Sequence, residues 1–350
     1  MPSQPSGPLR KGDVAAFVPG GVVSSRPVRV LVTGGHGFVG SHLVERLLAG
    51  GVEVRCLSRR REVPERLRGL ALEVVAGDLE TGVGLRAALV GVEEVWHLGA
   101  LTRSRTRREM LAVNTAGTLR LAREALDLGL SGRFVFCSSL AAVGPATGPH
   151  ALTEEAPLQP VTTYGLSKRR AEEGLALLGS KLPWVIVRPP AVYGPRDRDQ
   201  LDLFRFAKAG VVPLPPRGKM AVIHVDDLAR LLLALVPGGE DVSHELFEPD
   251  DGHVGGWSHK SFARAIGWAV GKRITPLPLP AFALRAAARG DRLLRRAAAK
   301  LTEDRVGYMC HPDWTVRDEL RPPVARWLPE IGTRDGLKAT AKWYREAGWL

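Results

Sequence analysis

Along the first half of the chain, short apolar runs alternate with stretches in which apolar residues recur every three or four positions. The run Val28–Val32 has the β-branched content of a buried strand and stops at Thr33-Gly34. A helical pattern then runs from Phe38 through Leu47-Leu48 to the stop at Gly50-Gly51. The alternation continues with strands expected over Val52–Leu57, Leu72–Ala76, Glu93–Leu98, Arg133–Cys137 and Trp184–Arg188, the last closing this half. Between them, helices are expected over Leu85–Leu89, about Arg108–Leu128 and onward from Thr163. Strands separated by helices predict an α/β fold with a Rossmann-type, doubly wound parallel sheet, whose ligands sit at the carboxyl ends of the strands.

Beyond Arg188 the periodicity weakens. Val222–Val225 with Asp226-Asp227 opens a helix through Leu235 that returns to the first half. Pro213–Pro216 and Pro276–Pro280 read as rigid turns. This divides the chain into a tail at 1–26, rich in Pro, Ser and Gly and read as disordered, and a cofactor-binding domain at 27–193 to which 221–238 return. A smaller substrate-binding part, 194–220 and 239–350, completes it. Residues Ala281–Leu301 form a basic, Ala/Leu-rich pattern interrupted at Gly290-Asp291. Helices roofing the substrate pocket are the favoured reading there, and a helix pair lying on a membrane surface is the alternative.

Composition narrows the class. No run of about 18 uncharged apolar residues occurs, so no membrane-spanning helix is expected, and residues 1–26 lack the apolar stretch of a secretory signal. The formal net charge is +12, mostly from arginine. No nucleic-acid-binding module accompanies it, and the reading is a basic, solvated surface. Cys56, Cys137 and Cys310 are odd in number and lack metal spacing, which fits a reducing cytoplasm and no bound metal.

Four local patterns carry chemistry. In Gly34-x-x-Gly37-x-x-Gly40 the glycines permit a sharp turn and a close approach, and the helix that follows offers free N–H groups to a phosphate. Where an acid about 20 residues beyond such a turn would bind a ribose 2′-hydroxyl, this chain has Ser58-Arg59-Arg60-Arg61, so Arg59 and Arg60 point to a 2′-phosphate and to NADP, with NAD as the alternative. Tyr164 and Lys168 are four residues apart on one helical face, where an ammonium lowers the phenol's pKa towards working pH and readies it for proton exchange. Ser139, at a strand end, is placed to hydrogen-bond the same substrate oxygen. Finally, Arg103, Arg105, Arg107 and Arg108 crowd the loop after the fourth strand; Arg103 and Arg105 are candidates for an anionic group on the substrate.

With these patterns in order, the chain resembles the extended short-chain dehydrogenase/reductase family over about residues 27–350. The marks are TGGHGFVG (33–40), GDL (77–79), HLGA (97–100), NTAGT (114–118), SS (138–139), YGLSK (164–168), RPPAVYGP (188–195), IHVDDLA (223–229) and KATAKWYREAGWL (338–350). The resemblance implies that Ser139, Tyr164 and Lys168 are the catalytic triad and that Gly34, Gly37, Phe38 and Val39 form the pyrophosphate turn. It further implies that Asp78 and Leu79 border the adenine, that Ala100 lies beside the cofactor, and that Lys168 also holds the nicotinamide ribose. Asn114 would stabilise the cofactor side of the site, and Pro189 and Val192 would line the nicotinamide pocket. Family members commonly pair through the helices at about 108–128 and 163–180, which implies a homodimer with Leu166, Leu175, Leu177 and Leu178 as candidate contacts.

Two departures shape the functional expectation. Val143 replaces a frequent aromatic that touches nucleotide sugars, and Leu140-Ala141 follow Ser139 where the family's dehydratases carry Asp-Glu. The leading expectation is an NADP(H)-dependent oxidoreductase interconverting a ketone and a secondary alcohol in a small-molecule substrate, similar to the dihydroflavonol-reductase and 3β-hydroxysteroid-dehydrogenase branch. The alternatives are a nucleotide-sugar epimerase with tightly bound NAD and a non-catalytic, cofactor-sensing binding protein.

Overall fold

A computed structural model describes residues 28–60, 63–144, 159–235, 242–295 and 301–350; the tail at 1–26, Arg61, most of the loop Gly144–Pro160 and Arg296 lie outside them. The apolar run after Val28 becomes β1 (Arg29–Thr33), which pairs in parallel with β2 (Glu53–Ser58) on one side and β4 (Glu94–His97) on the other. Beyond β2 lies β3 (Glu73–Ala76); beyond β4 lie β5 (Phe134–Cys137) and β6 (Trp184–Val187). The strand order reverses between β1 and β4, so their carboxyl ends frame the crevice in which such sheets bind ligands.

Both faces of the sheet are covered, and successive residues of each strand enter different cores. Val30, Val32, Val135 and Val185 enter the core that α1 (Phe38–Ala49) shares with a helix further along the chain. Leu31, Val95, Phe134 and Phe136 face the opposite layer of α2 (Leu85–Leu89), α3 (Arg107–Leu111), α4 (Thr118–Asp127) and α5 (Thr163–Ala176). The long helix expected over about 108–128 is present as α3 and α4 joined by one π-helical turn, Ala112–Gly117.

Past β6 come β7 (Ala191–Tyr193), α6 (Leu201–Ala209), β8 (Val211–Leu214), β9 (Lys219–Met220) and β10 (Val222–His224). Then α7 (Val225–Ala234) packs back on α1, with Leu228, Leu231 and Leu232 fully buried, and the Trp96 indole N–H donates to Leu232 O at 3.1 Å. The main sheet does not close at β6. A seventh strand, β11 (Glu245–Phe247), pairs with β6 in parallel; three residues are too few to display a period.

The remaining elements are β12 (Trp257–Ser258), α8 (His259–Val270), β13 (Thr275–Pro278), α9 (Ala281–Arg295), α10 (Glu303–Met309), β14 (Asp313–Trp314) and α11 (Thr333–Glu346). Phe204, Ile266, Leu337 and Tyr344 form a second core among α6, α8 and α11, and the Tyr344 hydroxyl donates to Asp197 O at 2.6 Å. The interruption expected at Gly290-Asp291 does not occur, because α9 runs through both. A mid-helix glycine costs only about 1 kcal/mol, and Leu284 and Ala288 anchor the helix on Val306 of α10. Among the described residues no helix is long and apolar enough to cross a membrane.

Candidate active site

The turn after β1 is closed by close approaches of backbone to backbone. Gly34 has φ +72°, and a Cβ there would lie 2.8 Å from the Gly99 nitrogen; one at Gly40 would lie 2.2 Å from Gly34 O. Gly37 stands at the N-cap of α1 and brings no side chain to it, so the N–H groups of the first turn, around Phe38 and Val39, lack a side-chain cap. A turn tight enough to exclude any Cβ at Gly34 and Gly40, leading into the uncapped start of a 12-residue helix, fits the pyrophosphate of a dinucleotide.

A directional hydrogen-bond chain fixes the backbone beside this turn. The Gly99 N–H donates to the Thr33 hydroxyl (2.9 Å), which meets His97 Nδ1 at 2.6 Å; His97 Nε2 meets the Thr118 hydroxyl at 2.7 Å, and that hydroxyl donates to Asn114 O. Because Thr118 has its proton committed to Asn114, His97 donates from Nε2 and accepts at Nδ1. Burial holds His97 down at about 3, with the Lys168 charge acting in the same direction, so the ring is neutral as this chain requires.

Asn114 sits in the π-turn, a backbone irregularity frequent at functional sites. Its side chain grips Leu101 twice, accepting from the N–H at 2.8 Å and donating to the carbonyl at 2.9 Å, and also donates to Ser167 Oγ of α5 at 3.0 Å. The loop that follows Ala100 is thereby tied to the helix carrying Tyr164 and Lys168.

Ser139 follows β5 and caps a short 3-10 turn, Leu140–Ala142, accepting the Ala141 N–H at 3.2 Å. Tyr164 lies in the first turn of α5, whose start Thr162 caps by accepting the Gly165 N–H, and the Ser139 side chain is near enough to act on its hydroxyl. Lys168 is buried one turn on; its ammonium donates to Cys137 O at 2.8 Å and lies 4.6 Å from the centre of the Phe136 ring. The expected lowering of the phenol is not found here. Burial pushes Tyr164 well above its usual range, outweighing the opposing influence of Ser139, and the ammonium is engaged with Cys137 O instead. Burial likewise pushes Lys168 down to about 8, against the opposing pull of Cys137 and Glu172.

Beneath this trio runs a buried ionic network. Glu172, one turn past Lys168, accepts from the Ser138 hydroxyl and from Arg188 Nε (3.0 Å) and Nη2 (2.6 Å). Arg188 also reaches Glu248 at 3.2 Å, and Glu248 is held by the Arg317 guanidinium and backbone N–H.

The other expected residues are distributed around the same strand ends. Asp78 accepts the Glu80 N–H at 2.6 Å in a local turn, and the Leu79 side chain borders the space beside Gly99. Pro189 O accepts the Leu140 N–H at 3.0 Å, and Val192 O accepts from Gln200 at 3.0 Å. Arg59 and Arg60 are exposed at the end of β2. Arg103 pairs with Asp199 across an exposed bridge, whereas Arg105 is exposed and engages Glu109 only through its backbone N–H.

Sequence reasoning missed His36 and Arg66. Burial and then the charges of Arg59 and Arg66 lower His36, while burial followed by Arg198 and Arg196 lowers Arg66. These basic groups gather beside the glycine turn from three separate segments, a juxtaposition with no local signature. Glu172 and Glu248 were missed for the same reason, since their partners are distant in sequence.

A family model described as the NAD dependent epimerase/dehydratase family matches residues 30–246. A ceramide reductase from Caulobacter vibrioides is 34% identical over 328 residues, 92% of this chain and 96% of that protein. A UDP-glucose 4-epimerase from Vibrio cholerae is 32% identical over 73% of this chain and 79% of its own. Among solved structures, the UDP-glucose 4-epimerase of Thermus thermophilus in complex with NAD superposes with a TM-score of 0.70 at 25% identity, covering 91% of this chain and 100% of that one.

Proposed function

The chain belongs to the NAD-dependent epimerase/dehydratase family and is an NAD(P)-dependent enzyme, and from that premise we propose that it interconverts a ketone and a secondary alcohol with NADP(H). The observation that carries this reading is that Ser139 and Tyr164 meet at the carboxyl end of β5, with Lys168 buried one helical turn away. Gly34, Gly37 and the first turn of α1 would hold the pyrophosphate, with Asp78, Leu79, Ala100, Pro189 and Val192 along the rest of the dinucleotide. When bound, the nicotinamide supplies or accepts the hydride. Tyr164, kept protonated by burial, gives its proton to the carbonyl oxygen, and Ser139 offers that oxygen a second donor. Lys168 restrains the Cys137 backbone and, in its charged form, stabilises the phenolate left behind. Arg59 and Arg60, with His36 and Arg66 beside them, favour a cofactor carrying a 2′-phosphate.

The ceramide reductase relative supports a lipid carbonyl compound as the substrate. The epimerase relative favours a second reading, a nucleotide-sugar epimerase, against which Val143 stands in place of a sugar-contacting aromatic. The intact Ser139, Tyr164 and Lys168 speak against a purely sensing protein. Pairing through α3, α4 and α5 belongs to the same proposal, with Leu177 exposed for it and Leu175 already used in the chain's own core. Tyr164→Phe tests the chemistry: cofactor binding should persist while ketone-dependent NADPH oxidation falls by roughly 10²-fold or more. Near-wild-type turnover by Tyr164→Phe would refute the assignment.

A further inference from the structure

Helix α9 has three distinct stripes. Leu284 and Ala288, 7% and 1% exposed, face inward onto Val306 of α10. About half a turn away fall Phe282, Ala286 and Leu293, and Leu294 extends that stripe on one side. Phe282, Leu293 and Leu294 are 73%, 81% and 86% exposed. Along the other side run Arg285, Arg289 and Arg292. A globular helix normally turns its polar face outward. Here the outward face is apolar and is edged by guanidinium groups.

The charge on that edge is in excess. Arg289 bonds Glu303 at 2.9 Å, and this bond, followed by the charges of Arg292 and Arg285, holds the Glu303 carboxyl below its usual range. Among the described residues, Glu303 thus faces three arginines, on a chain whose net charge is already +12. The helix pair also touches the candidate site. The Asp304 carboxylate of α10 accepts the Thr163 N–H at 3.2 Å, at the residue preceding Tyr164.

We propose that α9 docks flat on an anionic lipid bilayer, with Phe282, Leu293 and Leu294 inserted at the level of the headgroups and Arg285, Arg289 and Arg292 on the lipid phosphates. Apolar insertion alone would suit any bilayer; the arginine edge selects a negatively charged one. Docked in this way, the α9–α10 pair that borders Tyr164 lies against the bilayer, a position suited to a lipid ketone. Only that last consequence rests on the proposed oxidoreductase function.

The full chain would be sedimented with vesicles made of equal parts phosphatidylglycerol and phosphatidylcholine, and with vesicles of phosphatidylcholine alone. The expected result is at least about tenfold stronger binding to the anionic vesicles, weakening as salt is added. Arg285→Gln with Arg292→Gln should weaken it by about thirtyfold, at the usual contribution of a basic residue near such a surface. Phe282→Asp with Leu293→Asp should abolish it, while its circular dichroism, melting temperature and NADPH-dependent reduction of a short water-soluble ketone match wild type. In a Phe282→Trp variant, emission should shift to the blue on anionic vesicles. Absence of wild-type binding, or equal binding by the aspartate variant, would overturn the proposal. So would a wild-type dimer that the aspartate substitutions convert to monomer without any vesicle binding, since the face would then join two copies of this chain. A protein that binds vesicles yet reduces no ketone would leave the docking surface standing and refute the oxidoreductase reading.

Discussion

Glu172 and Glu248, at the carboxyl end of the parallel sheet, and Glu94, at its amino end, are all nearly excluded from water, yet their surroundings differ completely. The first two are bracketed by Arg188 and Arg317 and also accept from the Ser138 hydroxyl and the Arg317 N–H. Among the described residues neither carboxyl oxygen of Glu94 has a hydrogen-bond partner, and burial pushes its pKa up to about 8 in spite of Arg133 nearby. A buried carboxylate with matched donors orients its neighbours, whereas one without them favours taking up a proton. The paired acids lie beneath Ser139 and Lys168. The unpaired one lies at the opposite end of the sheet, where its penalty cannot disturb the site.

The severest way to break this contrast is Glu248→Ala, which strands Arg188 and Arg317 without their shared partner. Removing one member of a buried ionic network costs about 3–5 kcal/mol. Urea unfolding should show a loss of that size; a loss below about 1 kcal/mol would mean that the network does not brace the carboxyl end.

Glu94→Gln should have the opposite sign, and a pH dependence. Below the ordinary range of a glutamate, both folded and unfolded chains are protonated and Glu94 carries no penalty. As pH rises towards about 8 the unfolded chain ionises while the folded one stays protonated, so stability falls, and the penalty is complete above that value. Glu94→Gln should therefore stabilise the protein by on the order of a few kcal/mol in mildly alkaline buffer and scarcely at all near pH 5. Melting curves across this range check it, and a pH-independent gain would contradict the assignment.

The smallest effect belongs to the exposed basic loop at the carboxyl end. The Arg103–Asp199 bridge is open to solvent, so Arg103→Gln should change stability by no more than about 1 kcal/mol. With Arg105→Gln added, the KM for an acidic ketone should rise several-fold while that for a neutral analogue stays unchanged. Equal responses would reduce the loop to surface charge.

Much of the cofactor half was legible because local rules decide it. Val30–Val32 could only be a buried strand, and Gly34 was readable because positive φ and close approach exclude other residues. The π-turn around Asn114 was not legible, since nothing in Ala112–Gly117 separates it from an ordinary helical turn. The strand Glu245–Phe247 escaped because its register comes from β6 and not from its own three residues.

By itself, the sequence determined the alternation of strands and helices, the glycine turn, and the four-residue spacing of Tyr164 and Lys168, because each depends on neighbours a few positions away. Only the tertiary structure decided the state of those groups. Whether Tyr164 is raised or lowered, whether Arg188 meets one glutamate or two, whether His36 and Arg66 join Arg59, and which face of α9 turns outward all depend on burial and on charges brought together from distant segments. Desolvation and Coulomb energy act through space, and in this chain the distances that set them are fixed by packing between segments as far apart as Glu172 and Arg317.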